Sequence, residues 1–461
     1  MSFTKESSTP PLRDKLILRK DFIMSQISKK YSKASDNSDP EDHKTHTEDD
    51  AIKQKPPRAK LATFSALSNR NYRLYFIGQV VSNSGTWMQM IAQSWLVLQL
   101  SKSGVVLGLV SAANFLPTLL LGPLAGVYVD RANKRKLLIG TQSAFALLAL
   151  ALGLLVEFRL VQLWMIFVAA ALVGLVNTLD MPARQTFVIE MVGPKDLPNA
   201  VSLNSVVMNS ARVIGPSIAG AVIYSLGVGP NFILNAISFL AVIAMLIMLR
   251  TSELMPATRA TSKSGQLREG FSYVAKTPSL AIPLLMMVIV GTLAYEFQVS
   301  LPLFTTDTFH LGAGSYALIT ASLGLGAVVG GLGAATYAKV SQKLLVAATL
   351  AFGLLMILMS EMPSFPLALI ATALTGAASI VFLSTANSLL QMTSLPEMRG
   401  RVMSLYGVAF LGSTPIGAPL IGYISGHFGG RSGILVGGVA TLTAGLLAVI
   451  YHRHKANATR I

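Results

Sequence analysis

Two side chains stand where water is scarce and chemistry is still possible. Glu296, in the run Tyr295-Glu296-Phe297-Gln298, and Arg212 both lie deep inside apolar stretches of this 461-residue chain. A carboxyl sheltered from bulk water is the type of group that can take up a proton on one side of a barrier and release it on the other. If the helix carrying Arg212 enters near Ala200, a rise of ~1.5 Å per residue sets the guanidinium ~18 Å deep. A charge there costs at least ~2.5 kcal/mol unless it meets water or a partner, so Arg212 should face the interior of a bundle. Glu296 is expected to be the proton-coupling residue. The competing expectations are that it opens onto an outer vestibule, or that it simply neutralises Arg212.

Other chemistries are excluded by what is missing. With no cysteine there are no disulfides, thiolate nucleophiles or cysteine metal sites. The six histidines are His43, His46, His310, His427, His452 and His454, and none pairs with a carboxylate at catalytic or zinc spacing. No G-x-x-x-x-G-K-[ST] loop is present to cradle a nucleotide phosphate. No catalytic residue, metal or cofactor is expected, and the chain does not read as an enzyme.

Further polar groups recur inside apolar runs. Asp180 and Arg184 are four apart, hence on one helix face if the helix continues through Pro182. With Arg131 and Arg135, and near Glu190, they are expected to form an ion network at the membrane surface. The alternative is a solvated helix end, where exposed pairs contribute ~0 to 1 kcal/mol. Gln79, Asn83 and Gln89 in the first span, Asn209 in the fifth, Gln298 in the seventh and Asn387 in the tenth occupy positions that a lipid-facing helix would fill with Leu. They are expected to line a substrate cavity. Trp87, Met88, Met90 and Trp95 would give that cavity an apolar wall suited to an amphiphilic small molecule, although core packing explains Met and Trp equally well.

The elements that must position these groups are membrane helices. At 52% hydrophobic and 13% charged residues the composition does not fit a water-soluble surface. The net charge of +16 sits on bases lying between apolar runs, which argues against nucleic acid as a partner. Spans are expected near 74–100, 104–129, 136–157, 161–183, 200–226 and 229–250, then 279–305, 314–338, 343–361, 365–390, 401–427 and 431–452, each close to the ~20 residues that cross a bilayer. The fold class is thus all-α membrane protein, with twelve transmembrane helices in two pseudo-symmetric six-helix halves.

Bases concentrate in every second loop: Arg131, Lys134, Arg135 and Lys136; Arg184 and Lys195; Arg250, Arg259, Lys263, Arg268 and Lys276; Lys339 and Lys343; Arg399 and Arg401. The opposite loops carry only Lys102, Arg159 and Arg431. Both termini are therefore expected in the cytoplasm of a multi-pass plasma (inner) membrane protein. The expected domains are a tail at 1–60, a first half at 61–250, a linker at 251–278, a second half at 279–452 and a tail at 453–461. The first tail has no apolar run long enough for a signal peptide, so the first span is expected to direct insertion. It reads as a disordered, solvated leader that drops out if Met24 is the true start. Its basic apolar patch from Lys15 to Met24 is alternatively a membrane-surface helix. A repeat supports the duplication. An offset of 202 superposes Pro194, Ser202, Leu203, Gly215 and Gly220 on Pro396, Ser404, Leu405, Gly417 and Gly422, and an offset of 207 brings Gly126 onto Gly333.

The loop after the second span reads Gly126, Asp130, Arg131, Asn133, Lys134, Arg135, Lys136. It resembles the signature of the major facilitator superfamily, G-x-x-x-D-[RK]-x-G-[RK]-[RK]. Asn133 replaces the usual Gly and is expected to preserve the turn by tolerating a left-handed backbone. The resemblance implies a gating role for this loop, with Asp130 facing the start of span 11 near Arg401 and Val402 and holding the cytoplasmic side shut. The aligned residue of the second half is Tyr337, so the latch should be asymmetric. Gly215 and Pro216, followed by Ala219 and Gly220, resemble the antiporter motif of exporters and imply a bent, closely packed span 5.

From about Asn71 to Ile450 the chain is similar to the branch of that superfamily containing the enterobactin exporter and the transmembrane secretion effectors. The matching residues include Gly85 to Gln89, Pro182 to Gln185, Asn209, Arg212, Leu301 to Leu303, and Arg399 to Val402. This implies the major facilitator fold and proton-driven export of a drug, siderophore or other amphiphilic small molecule by alternating access. The expected partners are that substrate, protons and the lipid bilayer, with no obligate protein partner. The alternative is a proton-coupled importer; a membrane-embedded enzyme or receptor is the remote one.

Overall fold

The computed structural model describes residues 62–255, 266–337 and 339–458. The readings of the first sixty residues, Arg259 and Lys263 fall outside them. Among the described residues ten helical stretches are long and apolar enough to cross a membrane. One, Leu163–Leu226, is broken at Gly193, whose φ of 70° suits only glycine comfortably, and therefore supplies two spans. Arg70–Ser101 is less apolar, yet its 32 residues reach ~48 Å at 1.5 Å each.

The twelve spans are span 1 (Arg70–Ser101), span 2 (Gly104–Arg131), span 3 (Lys134–Glu157), spans 4 and 5 (163–192 and 194–226) and span 6 (Gly229–Ile247). The second half holds span 7 (Pro278–Thr308), span 8 (Ala313–Tyr337), span 9 (Gln342–Ser360), span 10 (Phe365–Thr393), span 11 (Pro396–Phe428) and span 12 (Gly430–Ala458). A short amphipathic helix, Gln266–Ala275, precedes span 7.

Polar residues at the ends set where helices start. Asn69, Ser103 and Ser341 each accept a backbone N–H three residues on. Asn133 does the same for span 3, accepting from the Lys136 N–H at 3.0 Å with φ −72° and ψ 108°. This corrects the left-handed reading: Asn serves here because its carboxamide caps a helix, and its backbone is extended.

The packing repeats. Span 2 lies on span 4 and span 3 on span 6; six positions later, span 8 lies on span 10 and span 9 on span 12. The halves meet through spans 2 and 11 and through spans 5 and 8. These seams are built from small residues. A Cβ on Gly220 would come within 2.8 Å of the Ala317 methyl, and one on Gly324 within 2.7 Å of the Arg212 carbonyl. Gly104 and Gly422 bring their backbones together so closely that neither could carry a side chain without a shift.

These contacts run from the end opposite the basic loops, at Gly104, Gly220 and Gly422, to mid-bundle at Gly324. Apolar clusters there join residues of both halves, such as Met88 and Ala219 with Leu301 and Tyr316. The cluster at the basic end, around Tyr72, Phe187 and Leu246, draws on the first half alone. Gly126 and Gly333, the pair related by the 207 offset, both face open space. Glycine contacts between the halves thus lie at the sparsely charged end and mid-bundle, and Gly126 and Gly333 at the basic end make none.

The chain has no cysteine, so a single introduced thiol reports cleanly. Gly333→Cys should react quickly with a hydrophilic maleimide. Adding Gly422→Val, which wedges the closed seam apart, should slow that reaction several-fold by favouring the opposite conformation. An unchanged rate would show that the seam does not govern which end is open.

Candidate functional site

The first half contains a buried polar network. Span 4 runs through Pro182 without stopping, so Asp180 and Arg184 share a face and form an ion pair. Asp180 is 2% exposed and accepts the Thr141 hydroxyl at 2.6 Å and the Gln142 amide at 2.8 Å, both from span 3. Arg184 also donates to the Gln79 side chain, and the Tyr75 hydroxyl lies within its hydrogen-bonding reach, so span 1 is tied in. This differs from the surface network expected with Arg131 and Arg135. Arg135 instead donates to the carbonyls of Leu246 (2.7 Å) and Ile247 (2.8 Å), capping span 6, and Arg131 is exposed. The physical reason is that a carboxylate inside the bundle needs every lone pair satisfied.

Several residues expected to line a cavity turn to neighbouring helices. Gln79 is 4% exposed, and Asn83 donates to its carbonyl at 2.7 Å. Gln89 accepts from Asn235 of span 6 at 2.7 Å. Asn209 donates to the Ser205 carbonyl of its own helix at 2.9 Å. Asn387 of span 10 lies within hydrogen-bonding reach of Tyr406 on span 11, and Gln298 is half-buried.

Glu296 sits at a break. Span 7 is interrupted between Leu293 and Phe297, with Tyr295 N–H reaching back five residues to the Val290 carbonyl at 3.0 Å. Span 11 is interrupted between Leu411 and Thr414. The two breaks face each other. The Thr414 hydroxyl lies within hydrogen-bonding reach of the Glu296 carboxyl, and a Cβ on Gly417 would come within 2.9 Å of its Oε1. Glu296 is 4% exposed and its Oε1 has no partner among the described residues. It makes no ion pair with Arg212, and it does not open onto a vestibule. Arg212, near the middle of span 5, has its guanidinium 5.4 Å from the Trp87 ring of span 1.

At the basic end Asp130 and Arg401 are not joined. Arg401 pairs at 2.7 Å with Glu269 of the helix Gln266–Ala275, and Asp130 forms no ion pair among the described residues. Lys134 bridges Glu190 at 3.4 Å. Pro216 and Gly215 lie buried in span 5, where a Cβ on Gly215 would come within 2.7 Å of the Ser84 carbonyl. Gly417, its counterpart by the 202 offset, makes the same approach to span 7.

A family model described as transmembrane secretion effector matches residues 61–460. The chain belongs to that family. Among its relatives, the multidrug efflux pump Tap of Mycolicibacterium fortuitum is 27% identical over 394 residues, 82% of this chain and 95% of that protein. The staphyloferrin A transporter of Staphylococcus aureus is 30% identical over 176 residues, 38% of this chain and 44% of that protein. Macrolide efflux protein A of Streptococcus pyogenes is 22% identical over 384 residues, 80% and 93% of the two chains. The fold is shared with an inward-facing, unoccupied bacterial homologue of the human lysosomal transporter Spinster (TM-score 0.60, 16% identity, 85% of this chain and 96% of that one). It is shared also with the POT family transporter PepTSo (TM-score 0.67, 10% identity, 84% and 98%). The chain is therefore a multi-pass transporter of the major facilitator superfamily, and not an enzyme.

Sequence reasoning missed Thr141, Gln142 and Tyr75 around Asp180, and Thr414 beside Glu296. Hydroxyls and amides scattered through apolar helices give no spacing signal of their own. Breaking the buried pair tests the network. Asp180→Asn should lower stability by about 3 kcal/mol, because it leaves the Arg184 charge uncompensated. The double change Asp180→Asn with Arg184→Gln should lose less, read from unfolding midpoints in detergent. Additive losses would mean the two side chains do not act together.

Proposed function

We propose that this transporter is a proton-coupled exporter of an amphiphilic small molecule, set in the plasma (inner) membrane with both termini and the basic loops in the cytoplasm. On that orientation the conformation described is open inward, ready to receive cargo from the cell. The observation that carries the reading is Glu296, a carboxyl sealed at the junction of two broken spans with one oxygen unpartnered. Discontinuous helices near mid-membrane are where secondary transporters seat their ions. The direction is supported by relatives named as efflux pumps.

Transport on this reading is a rocking of two halves. The seams between spans 2 and 11 and between spans 5 and 8 open, while the basic end closes and Asp130 meets Arg401. For that, Arg401 must leave Glu269. Gly126, Arg131 and Arg135 shape the same loop. A proton on Glu296 shifts the equilibrium only by the difference in its affinity for the two states.

In oriented proteoliposomes without ATP, an imposed pH gradient should drive accumulation of the neutral dye N-phenyl-1-naphthylamine as reporter cargo. Glu296→Gln should reduce that accumulation about tenfold while leaving downhill exchange intact. Full gradient-driven accumulation by Glu296→Gln removes the residue from coupling. A second measurement addresses the latch. Asp130→Asn should raise the maleimide reactivity of Gly333→Cys, and Glu269→Gln should lower it. Equal reactivity in all three backgrounds would refute the exchange of partners at Arg401.

A further inference from the structure

Among the described residues Arg212 is the inner cation left without a counter-ion. A guanidinium carries five N–H donors, yet this one makes no hydrogen bond or ion pair with any described residue, and its Nε is buried. Its surroundings come from both halves. Trp87 of span 1 lies 5.4 Å away, Tyr295 of span 7 is within electrostatic reach, and Gly324 of span 8 packs on its backbone. Of the acids beyond residue 60, only Asp180 and Glu296 are buried. Asp180 is held by Arg184, and Glu296 is turned to span 11. Arg212 is half-buried with its Nε sealed, so the centre of the bundle carries a positive charge with no counter-ion among the described residues, a placement that costs at least ~2.5 kcal/mol unless water or a ligand compensates it.

We propose that Arg212 anchors the cargo, and that the cargo is an organic anion: a planar carboxylate on an aromatic or aliphatic body. This rests on the reading of the chain as an exporter and narrows its substrate. A guanidinium fork takes both oxygens of a carboxylate in its own plane. Trp87 lies against the guanidinium, 5.4 Å from its ring centroid. Phe297 and Phe410 pack edge to face on Tyr295, with centroids 5.8 and 5.0 Å from its own, and make the nearby surroundings apolar. A lipophilic cation would meet the same rings but be repelled by the charge. Anion and proton have separate seats, because Glu296 and Arg212 do not pair.

The full chain in detergent is titrated with 1-naphthoate, its uncharged isostere 1-naphthamide, and tetraphenylphosphonium, followed by calorimetry. Naphthoate should bind about tenfold more tightly than the amide. Arg212→Gln should abolish that preference while leaving amide binding unchanged, and Arg212→Lys should restore part of it. Equal binding of acid and amide, or a preference that survives in Arg212→Gln, overturns the proposal. If the Gln variant does not fold, judged by its unfolding midpoint, the Lys variant and the acid-to-amide ratio of the unmodified chain decide. Proteoliposomes separate this from the exporter reading. Gradient-driven movement of the neutral dye without any naphthoate preference leaves the exporter standing and removes the anion site. An Arg212-dependent naphthoate preference without gradient-driven movement of either compound does the reverse.

Discussion

Inside hydrocarbon, a polar group has only the protein to bond to, and this constraint sorts every charge in the bundle. Asp180 obeys it fully. Its oxygens receive a hydroxyl, an amide and a guanidinium from spans 3 and 4, and Arg184 passes the network to span 1. A group so completely satisfied fixes three helices of one half into a unit. Arg212 and Glu296 do not obey it: each keeps a buried atom without a partner. They lie along the region where halves or half-helices meet. Neutral Gln142, Asn231 and Ser425 also keep an unpartnered buried atom, so it is the charge on Arg212 and Glu296 that sets them apart, and the proposed function assigns them to a ligand and a proton.

The rigidity of each half and the looseness between them have one origin, the size of residues at the seams. Within the second half, Gly326 and Gly330 press against the backbones of Ala373 and Ala377. Between halves, the tight contacts are Gly104 with Gly422 and Gly220 with Ala317, all at the sparse end. Lipid offers no hydrophobic drive to hold helices together, so close packing of small residues must do it. Such seams have no buried ion pair to break among the described residues. On the exporter reading they part at one end while another set forms at the other.

How much of this the sequence disclosed follows the range of each signal. Apolar runs and alternating basic loops pointed to twelve spans, because bilayer thickness imposes a length on every helix. The offset of 202 pointed to spans 5 and 11, and their glycines do occupy matching places against spans 1 and 7. Side-chain direction was less legible. Gln79 and Gln89 are polar residues on an apolar helix, and their spacing cannot say whether they face a cavity or a neighbouring helix; both face neighbours. Asn133 was tied to the wrong property, since a Gly-to-Asn replacement suggests backbone freedom while the carboxamide is acting as a cap. The break at Glu296 was invisible because nothing in Leu293 to Phe297 is a helix breaker.

The remaining charges show why ion pairs at the ends and in the interior serve different purposes. Arg135 and Arg431 are spent on carbonyls at helix ends, the latter on Ser360 and Met362, so a base in a loop can be structural whichever side it lies on. The Arg401–Glu269 pair is different: Glu269 is 62% exposed, which limits such a contact to ~0 to 1 kcal/mol. A bond that weak cannot lock a conformation by itself, and that suits a partner meant to be exchanged. Pairs that bias a two-state equilibrium need to be cheap to break, whereas a pair that defines a half, such as Asp180–Arg184, needs to be costly. The chain places the first kind at the water-facing end of the bundle and the second within it, where the dielectric makes each what its role requires.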